Sequence, residues 1–377
     1  MSRIVGAGLG VLALGPARAA AQNEAEPSGP LSTWRFQVDV GGTWYENPTF
    51  RVAGQESSWS TTAQGSLGLN KRFRTGSFSL SGYGGWLSYP EIQELDQATY
   101  GGAAGLSWAP SPRTQLSLSQ NYARSNTRQL PSLDLEGLPV PTTGVDTATS
   151  SLDFSQGLSR RTSLQMDGTF VWRRYDTSTL VGGEQVQVGV GLAHQLSEYS
   201  SISLLYGFTN SWIESQPSRV HIAGLGVQRQ PERGLGLEIG GGVAYLEYVG
   251  QYHPTGRAGL SATGRRTSAQ VLYRRDFGQA FGYGRNTIAD LVSAGLGWTP
   301  VESLTFSLAY SYGHRRDPGD DTFRLDSHVA SAGFNWRITK GLGFNARYAY
   351  EENRTEGFPD VAGGRATASL SYGVDWR

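Results

Sequence analysis

The chain has 377 residues, among them 51 glycines, 18 tyrosines, 14 phenylalanines and 10 tryptophans, with 17% charged residues. It lacks the Leu-, Lys- and Glu-rich segments that helices favour, and reads as all-β. Lys plus Arg equal Asp plus Glu at 32 each, so no net field draws in nucleic acid or another polyanion.

At the start, MSRIVGAGLGVLALGPARAAAQ places Arg3 before an apolar stretch from Ile4 to Leu14 and then small residues from Ala17 to Ala21 with an A-x-A cleavage site. Residues 1–21 are therefore expected to be a secretory signal peptide, followed by a short periplasmic segment over 22–33. The absence of cysteine permits passage through an oxidising compartment without disulfides. No later stretch reaches the roughly 18 consecutive apolar residues of a membrane helix, so any crossing of a membrane must be made by strands.

From residue 34 onward, tight polar turns recur: NKRFRTGS (70–77), APSPRT (109–114), LSRRT (158–162), LSEYSS (196–201), RQPERG (229–234), GRRT (264–267), TPVES (299–303) and RITKG (337–341). Between them lie second, mostly longer connections rich in Gly, Pro, Asp and Asn, including SYPEIQELDQ, ESQPS, VGQYHPTG, GQAFGYGRN and RRDPGDDT. Alternating short and longer connections are the mark of an antiparallel meander closed into a transmembrane barrel, here of about 18 strands. Both termini then lie on the short-turn side.

The segments between turns alternate with period two. Leu304, Phe306, Leu308, Tyr310 and Tyr312 share one face, against Thr305, Ser307, Ala309, Ser311 and Gly313. Leu164, Met166, Phe170 and Trp172 do the same, as do Val186, Val188, Val190 and Leu192, and Ile202, Leu204, Tyr206, Phe208 and Trp212. The register stays open over 76–89, 255–265 and 323–338. A propeller would need four short strands per repeat rather than two long ones. A soluble sandwich would need a second buried face for every strand. The tryptophans sort into two belts, as at the two interfaces of a membrane. Trp44, Trp59, Trp86, Trp172 and Trp212 fall toward the longer connections, and Trp34, Trp108, Trp298, Trp336 and Trp376 beside short turns or a terminus. The fold expected over 34–377 is a transmembrane antiparallel up-and-down β-barrel.

Its last strand, RATASLSYGVDWR, puts Ala368, Leu370, Tyr372, Val374 and Trp376 on one face. In this, and in the hairpin pattern as a whole, the chain resembles Gram-negative outer-membrane β-barrels of the porin type. The resemblance implies an outer-membrane location, contact with lipid and lipopolysaccharide, and recognition of the C-terminal strand by the barrel-assembly machinery, although Arg377 follows the aromatic that usually ends such chains. The dozen residues between leader and first strand leave no room for a plug domain. At this strand number the interior is too wide for side chains to fill, and a channel for hydrophilic solutes is expected.

Arg35, Asp39, Asp153, Asp167, Arg173, Glu238, Arg274, Asp276, Arg347, Glu351 and Arg365 fall on inward positions and are the candidate pore-lining charges. Both signs are present, which predicts weak charge selectivity. The longest connection, NTRQLPSLDLEGLPVPTTGV, carries apolar residues that a solvated loop does not need. In porins the equivalent loop often folds into the channel, so residues 128–145 are expected either to narrow the pore or to form an external flap. The chain also resembles barrels that export polysaccharide, so polymer export with export components as partners stays open beside passive diffusion. A non-conducting adhesion barrel is the alternative of another class. No enzyme, cofactor or metal is expected: His194, His221, His253, His314 and His328 have no ligand spacing, and GxSxG, HExxH and P-loop motifs are missing. An outer-leaflet hydrolase would need a loop-proximal histidine such as His314 or His253. Asp317, Asp320 and Asp321 lack the spacing of a calcium loop.

Overall fold

The computed structural model describes residues 32–47, 57–127, 142–213, 216–231, 234–280, 284–355 and 360–376. The expected leader over 1–21, and most of the long connection, at 128–141, lie outside them. The first half of the chain supplies β1 (Ser32–Tyr45), β2 (Ser58–Phe73), β3 (Gly76–Ser88), β4 (Gln97–Ser111), β5 (Thr114–Asn126), β6 (Gly144–Gly157), β7 (Thr162–Tyr175), β8 (Gly183–Gln195) and β9 (Ser200–Ile213). The second supplies β10 (Gln216–Arg229), β11 (Gly234–Leu246), β12 (Gln251–Thr263), β13 (Thr267–Ala280), β14 (Arg285–Val301), β15 (Leu304–Asp317), β16 (Asp320–Arg337), β17 (Leu342–Thr355) and β18 (Val361–Trp376).

Each strand pairs antiparallel with its neighbours in sequence, and β1 pairs with both β2 and β18, so the 18-stranded sheet closes on itself. Closure leaves no edge with unpaired backbone groups, which is the condition for strands to cross hydrocarbon. Trp34 stands opposite Trp376 and Arg35 opposite Asp375 across the seam.

Followed from pair to pair, the register keeps one face outside all the way round. Phe36, Leu67, Leu80, Leu118, Leu152 and Met166 are among its outward residues, and their exposed side chains are apolar. The inward partners are small and polar, among them Gln64, Asn121, Thr149, Ser293, Ser311 and Ser331. A cylinder with bulky apolar residues outside and polar residues inside is the inverse of a water-soluble protein, and its solvent is lipid. The same register settles the three segments left open by pattern alone. On β3, Phe78, Leu80 and Trp86 point outward while Tyr83 and Leu87 point inward. On β12 the outward set is Gly256, Ala258, Leu260 and Ala262, too small to stand out from Gly259 and Ser261 facing inward. On β16, Phe334 and Trp336 are outward, but Leu325 and Val329 inward blur the period.

The strands run further than composition implies. Segments read as connections belong in large part to the ladder: β13 continues to Ala280 and β14 resumes at Arg285, while only Pro318 and Gly319 separate β15 from β16. Above the lipid a strand needs no apolar face, so its residues take on the composition of loops although the hydrogen-bond ladder goes on. At the opposite rim the register shifts between Trp108 and Ser111 and between Trp298 and Val301. Pro110 and Pro300 lie inside these two irregularities, where a missing N–H interrupts the pairing and a bulge absorbs the extra residues.

Candidate functional site in the barrel lumen

The eleven candidate charges named from the sequence all occupy inward positions of the register, on β1 (Arg35, Asp39), β6 (Asp153), β7 (Asp167, Arg173), β11 (Glu238), β13 (Arg274, Asp276), β17 (Arg347, Glu351) and β18 (Arg365). Most are held by neighbours. Gln37 donates to both oxygens of Asp39 at 2.9 and 3.0 Å. Arg274 Nε lies 2.9 Å from Asp276 Oδ2. Arg347 donates to Ser331 Oγ at 3.2 Å, and Asn353 donates to Glu351 at 2.8 Å. Arg173 is buried in the wall. Arg257 is absent from the sequence-based set; its Nε lies 2.8 Å from Glu238 Oε1. It falls in the segment of small residues on both faces, where only the pairing of β12 with β11 and β13 shows that it points inward.

Asp153 and Asp167 differ from the rest. They are direct cross-strand partners on the inner face, where like charges repel at short range. Asp167 lies on Gly189 of β8, so close that a Cβ there would collide with its carboxylate. Its Oδ1 is shielded from solvent and accepts no hydrogen bond.

At the outer mouth buried side chains pack into apolar clusters. Val220, Ile222, Ala244, Leu246, Phe277 and Ile288 form one apolar cluster, packed by Tyr248 and Val249 of the β11–β12 turn. Tyr45, Leu87 and Tyr89 form another, with the rings of Tyr45 and Tyr89 5.9 Å apart. Connections reach across to one another: Val181 lies against Gly284, and Val249 against Gly319. Burial at this rim pushes the Tyr248 hydroxyl pKa up, and the Asp317 carboxylate pushes it further. Glu247 in the same turn is exposed, and its hydrogen bond with His221, helped by Arg219, holds its carboxyl below the usual range.

On the outer face, Trp34, Trp44, Trp59, Trp86, Trp108, Trp172, Trp212, Trp298 and Trp336 point outward and lie toward strand ends, and Trp376 holds the register position opposite Trp34. Trp44 pairs with Trp59 toward the longer connections. Beside the short turns, the rings of Trp298, Phe306, Phe334 and Phe344 run across β14–β17 at 5.4, 6.1 and 5.7 Å. Toward the outer rim a row of tyrosines bonds to charged groups: Tyr122 to Asp146 at 2.8 Å, Tyr273 to Asp290 at 2.7 Å and Tyr312 to Asp326 at 2.8 Å. A tyrosine with an apolar body and a bonded hydroxyl suits the boundary between hydrocarbon and water.

No protein-family model matches the chain, and no curated protein matches it in sequence. Solved structures do. OpdQ of Pseudomonas aeruginosa superposes with a TM-score of 0.53 at 12% identity, over 92% of this chain and 98% of that one. OccAB2 of Acinetobacter baumannii gives 0.54 at 11% identity, over 92% and 98%. OccK9 (OpdG) of Pseudomonas aeruginosa gives 0.51 at 15%, over 91% and 98%. The fold is that of an outer-membrane porin. The matches cover nearly the whole chain.

The histidines do not build a different site. His314 Nδ1 lies 2.9 Å from Asp326 on the outer face, but its outward neighbours are Asp290, Tyr312, Asp326 and His328. The serines of these strands, Ser293, Ser307, Ser311, Ser327 and Ser331, stand at inward positions. No serine therefore stands beside it as a nucleophile among the described residues. His253 is inward on β12 beside Phe277, with ring centroids 6.3 Å apart. Asp317 accepts a hydrogen bond from the Gly319 N–H at 2.8 Å, closing the β15–β16 turn. No cluster of metal-ligating side chains occurs among the described residues.

Proposed function

We propose that this protein is a Gram-negative outer-membrane channel through which hydrophilic solutes diffuse. The observation that carries the reading is the alternation, around a closed 18-stranded ladder, of a largely apolar outer face and a mostly small, polar inner one. Barrels of roughly 16 to 18 strands enclose more space than inward side chains occupy, which leaves an aqueous path. Lumen charges of both signs, largely paired with each other or with amides and hydroxyls, make discrimination by charge weak over most of the wall. Polymer export finds no support: the inward rings of Tyr45, Tyr83 and Tyr175 stand on β1, β3 and β7, which are not neighbours, so they form no continuous track. The deciding experiment is reconstitution of the purified protein in a planar bilayer. Stepwise, ohmic current is expected, and a folded protein that inserts without conducting overturns the channel in favour of a closed surface barrel.

A further inference from the structure

A recess of 280 Å³ is set into the lumen wall between β7 and β13. Its floor is glycine: on the inner face Gly226 pairs with Gly240 and Gly224 with Gly242, and Gly207 on β9 continues the surface. Above Gly207 the space is empty, since a Cβ there would have its nearest neighbour, Ile222 Cβ, at 4.0 Å. Leu205 and Ile222 supply an apolar side. Across the floor the charges are satisfied, Arg257 by Glu238 and Arg274 by Asp276. At the near edge they are not. Asp167 lines the recess with a shielded, unbonded oxygen, Asp153 stands opposite it, and neither carboxylate forms an ion pair among the described residues.

Glycine inside a strand weakens the sheet and marks a place where something else approaches the backbone. An unpaired, shielded carboxylate costs free energy unless a cation meets it, and two facing carboxylates raise that cost. A primary ammonium offers three donors and suits both. The volume lies near the lower limit of roughly 300 Å³ for small-molecule sites, so the body attached to that ammonium is compact. We propose that the recess is a binding station for a compact organic ammonium ion. Its nitrogen sits against Asp167 and Asp153, and its apolar body lies over Gly207 and Gly224 beside Leu205 and Ile222. This rests on the lumen being open to solutes.

Benzylammonium is a suitable probe and benzyl alcohol its neutral counterpart. Titrated into the folded barrel in detergent and followed by calorimetry and saturation-transfer NMR, benzylammonium binds saturably, and benzyl alcohol binds about tenfold more weakly, the loss expected for one charge-assisted hydrogen bond. Asp167→Asn weakens benzylammonium by a similar factor and leaves benzyl alcohol unaffected. Gly207→Leu fills the recess without touching its charge and abolishes saturable binding of both, in a barrel whose heat-modifiable mobility shows it folded. Equal affinity for the two probes, wild-type binding by the Asp167→Asn protein, or binding retained by Gly207→Leu each overturns the proposal. Bilayer recordings separate it from the channel reading: binding without current removes the channel and leaves the recess, whereas current without binding removes the recess alone.

Discussion

Two parts of the wall place paired glycines on opposite faces. On β10 and β11 the pairs Gly226–Gly240 and Gly224–Gly242 face the lumen. On β2, β3 and β4 the pairs Gly65–Gly84 and Gly82–Gly102 face outward. In the first case the missing side chains deepen a recess lined by charges. In the second the inner face is occupied instead, since Tyr83 lies over Gly101, and the outer wall carries a shallow hollow between Leu80 and Trp86. The same residue type therefore does different work according to the solvent it faces. Inward it makes room for a solute, and outward it leaves a shape for acyl chains to fill.

A charge placed on each side tests that difference most strongly. Gly82→Arg puts a guanidinium on the lipid face well inside the strand and is expected to cost roughly 2–4 kcal/mol, read as an earlier urea midpoint in lipid vesicles. Gly207→Arg points into the lumen and is expected to stay within about 0.5 kcal/mol of wild type while lowering single-channel conductance. Equal stability losses at the two sites would mean that both faces meet the same medium, which ends the lipid-outside, water-inside assignment.

The next effect is steric. A Cβ on Gly242 would stand 2.1 Å from the Ala223 carbonyl oxygen and 2.7 Å from Gly224 Cα, both backbone atoms. Gly242→Ala is therefore expected to force the β10–β11 pair apart and to cost about 1–3 kcal/mol. Gly65→Ala, with no atom within 4 Å of the added carbon, is expected to change stability by less than about 0.5 kcal/mol. Thermal unfolding of the two variants in one detergent checks both. A neutral Gly242→Ala would show that the inner glycines are not required by close backbone approach.

Much of this was legible in the sequence, and the reason is the period. A strand such as β15 separates into Leu304, Phe306 and Leu308 against Thr305, Ser307 and Ala309 without any knowledge of its partners. The charges at Asp167 or Arg347 take their face from the same count. The recess was not legible, because Gly224 and Gly226 meet Gly242 and Gly240 only through the register between two strands, and each strand alone reads as flexible or small. Arg257 was missed for the same cause: β12 has no bulky face to count from. Strand length above the lipid was misread at RRDPGDDT, since the residues there lose the apolar alternation although Arg316 still pairs with Arg324.

The last effect is a gain, and it is the most discriminating for the outer hollow. Gly84 points outward with nothing within 4 Å of an added Cβ, so Gly84→Leu finds open space rather than a neighbour. Replacing a strand glycine removes unfolded-chain entropy and adds a residue better suited to a pleated surface, a gain of about 0.5–1 kcal/mol if acyl chains are the only neighbour. Because the side chain passes from water in the urea-unfolded chain to lipid tails in the folded barrel, its apolar transfer adds to that gain. A rise in the urea midpoint, with unchanged mobility of the folded barrel, agrees with a lipid-filled hollow. A loss of stability at this position has no source within the barrel itself, and would mean that the flat wall of β2–β4 is already in contact with protein.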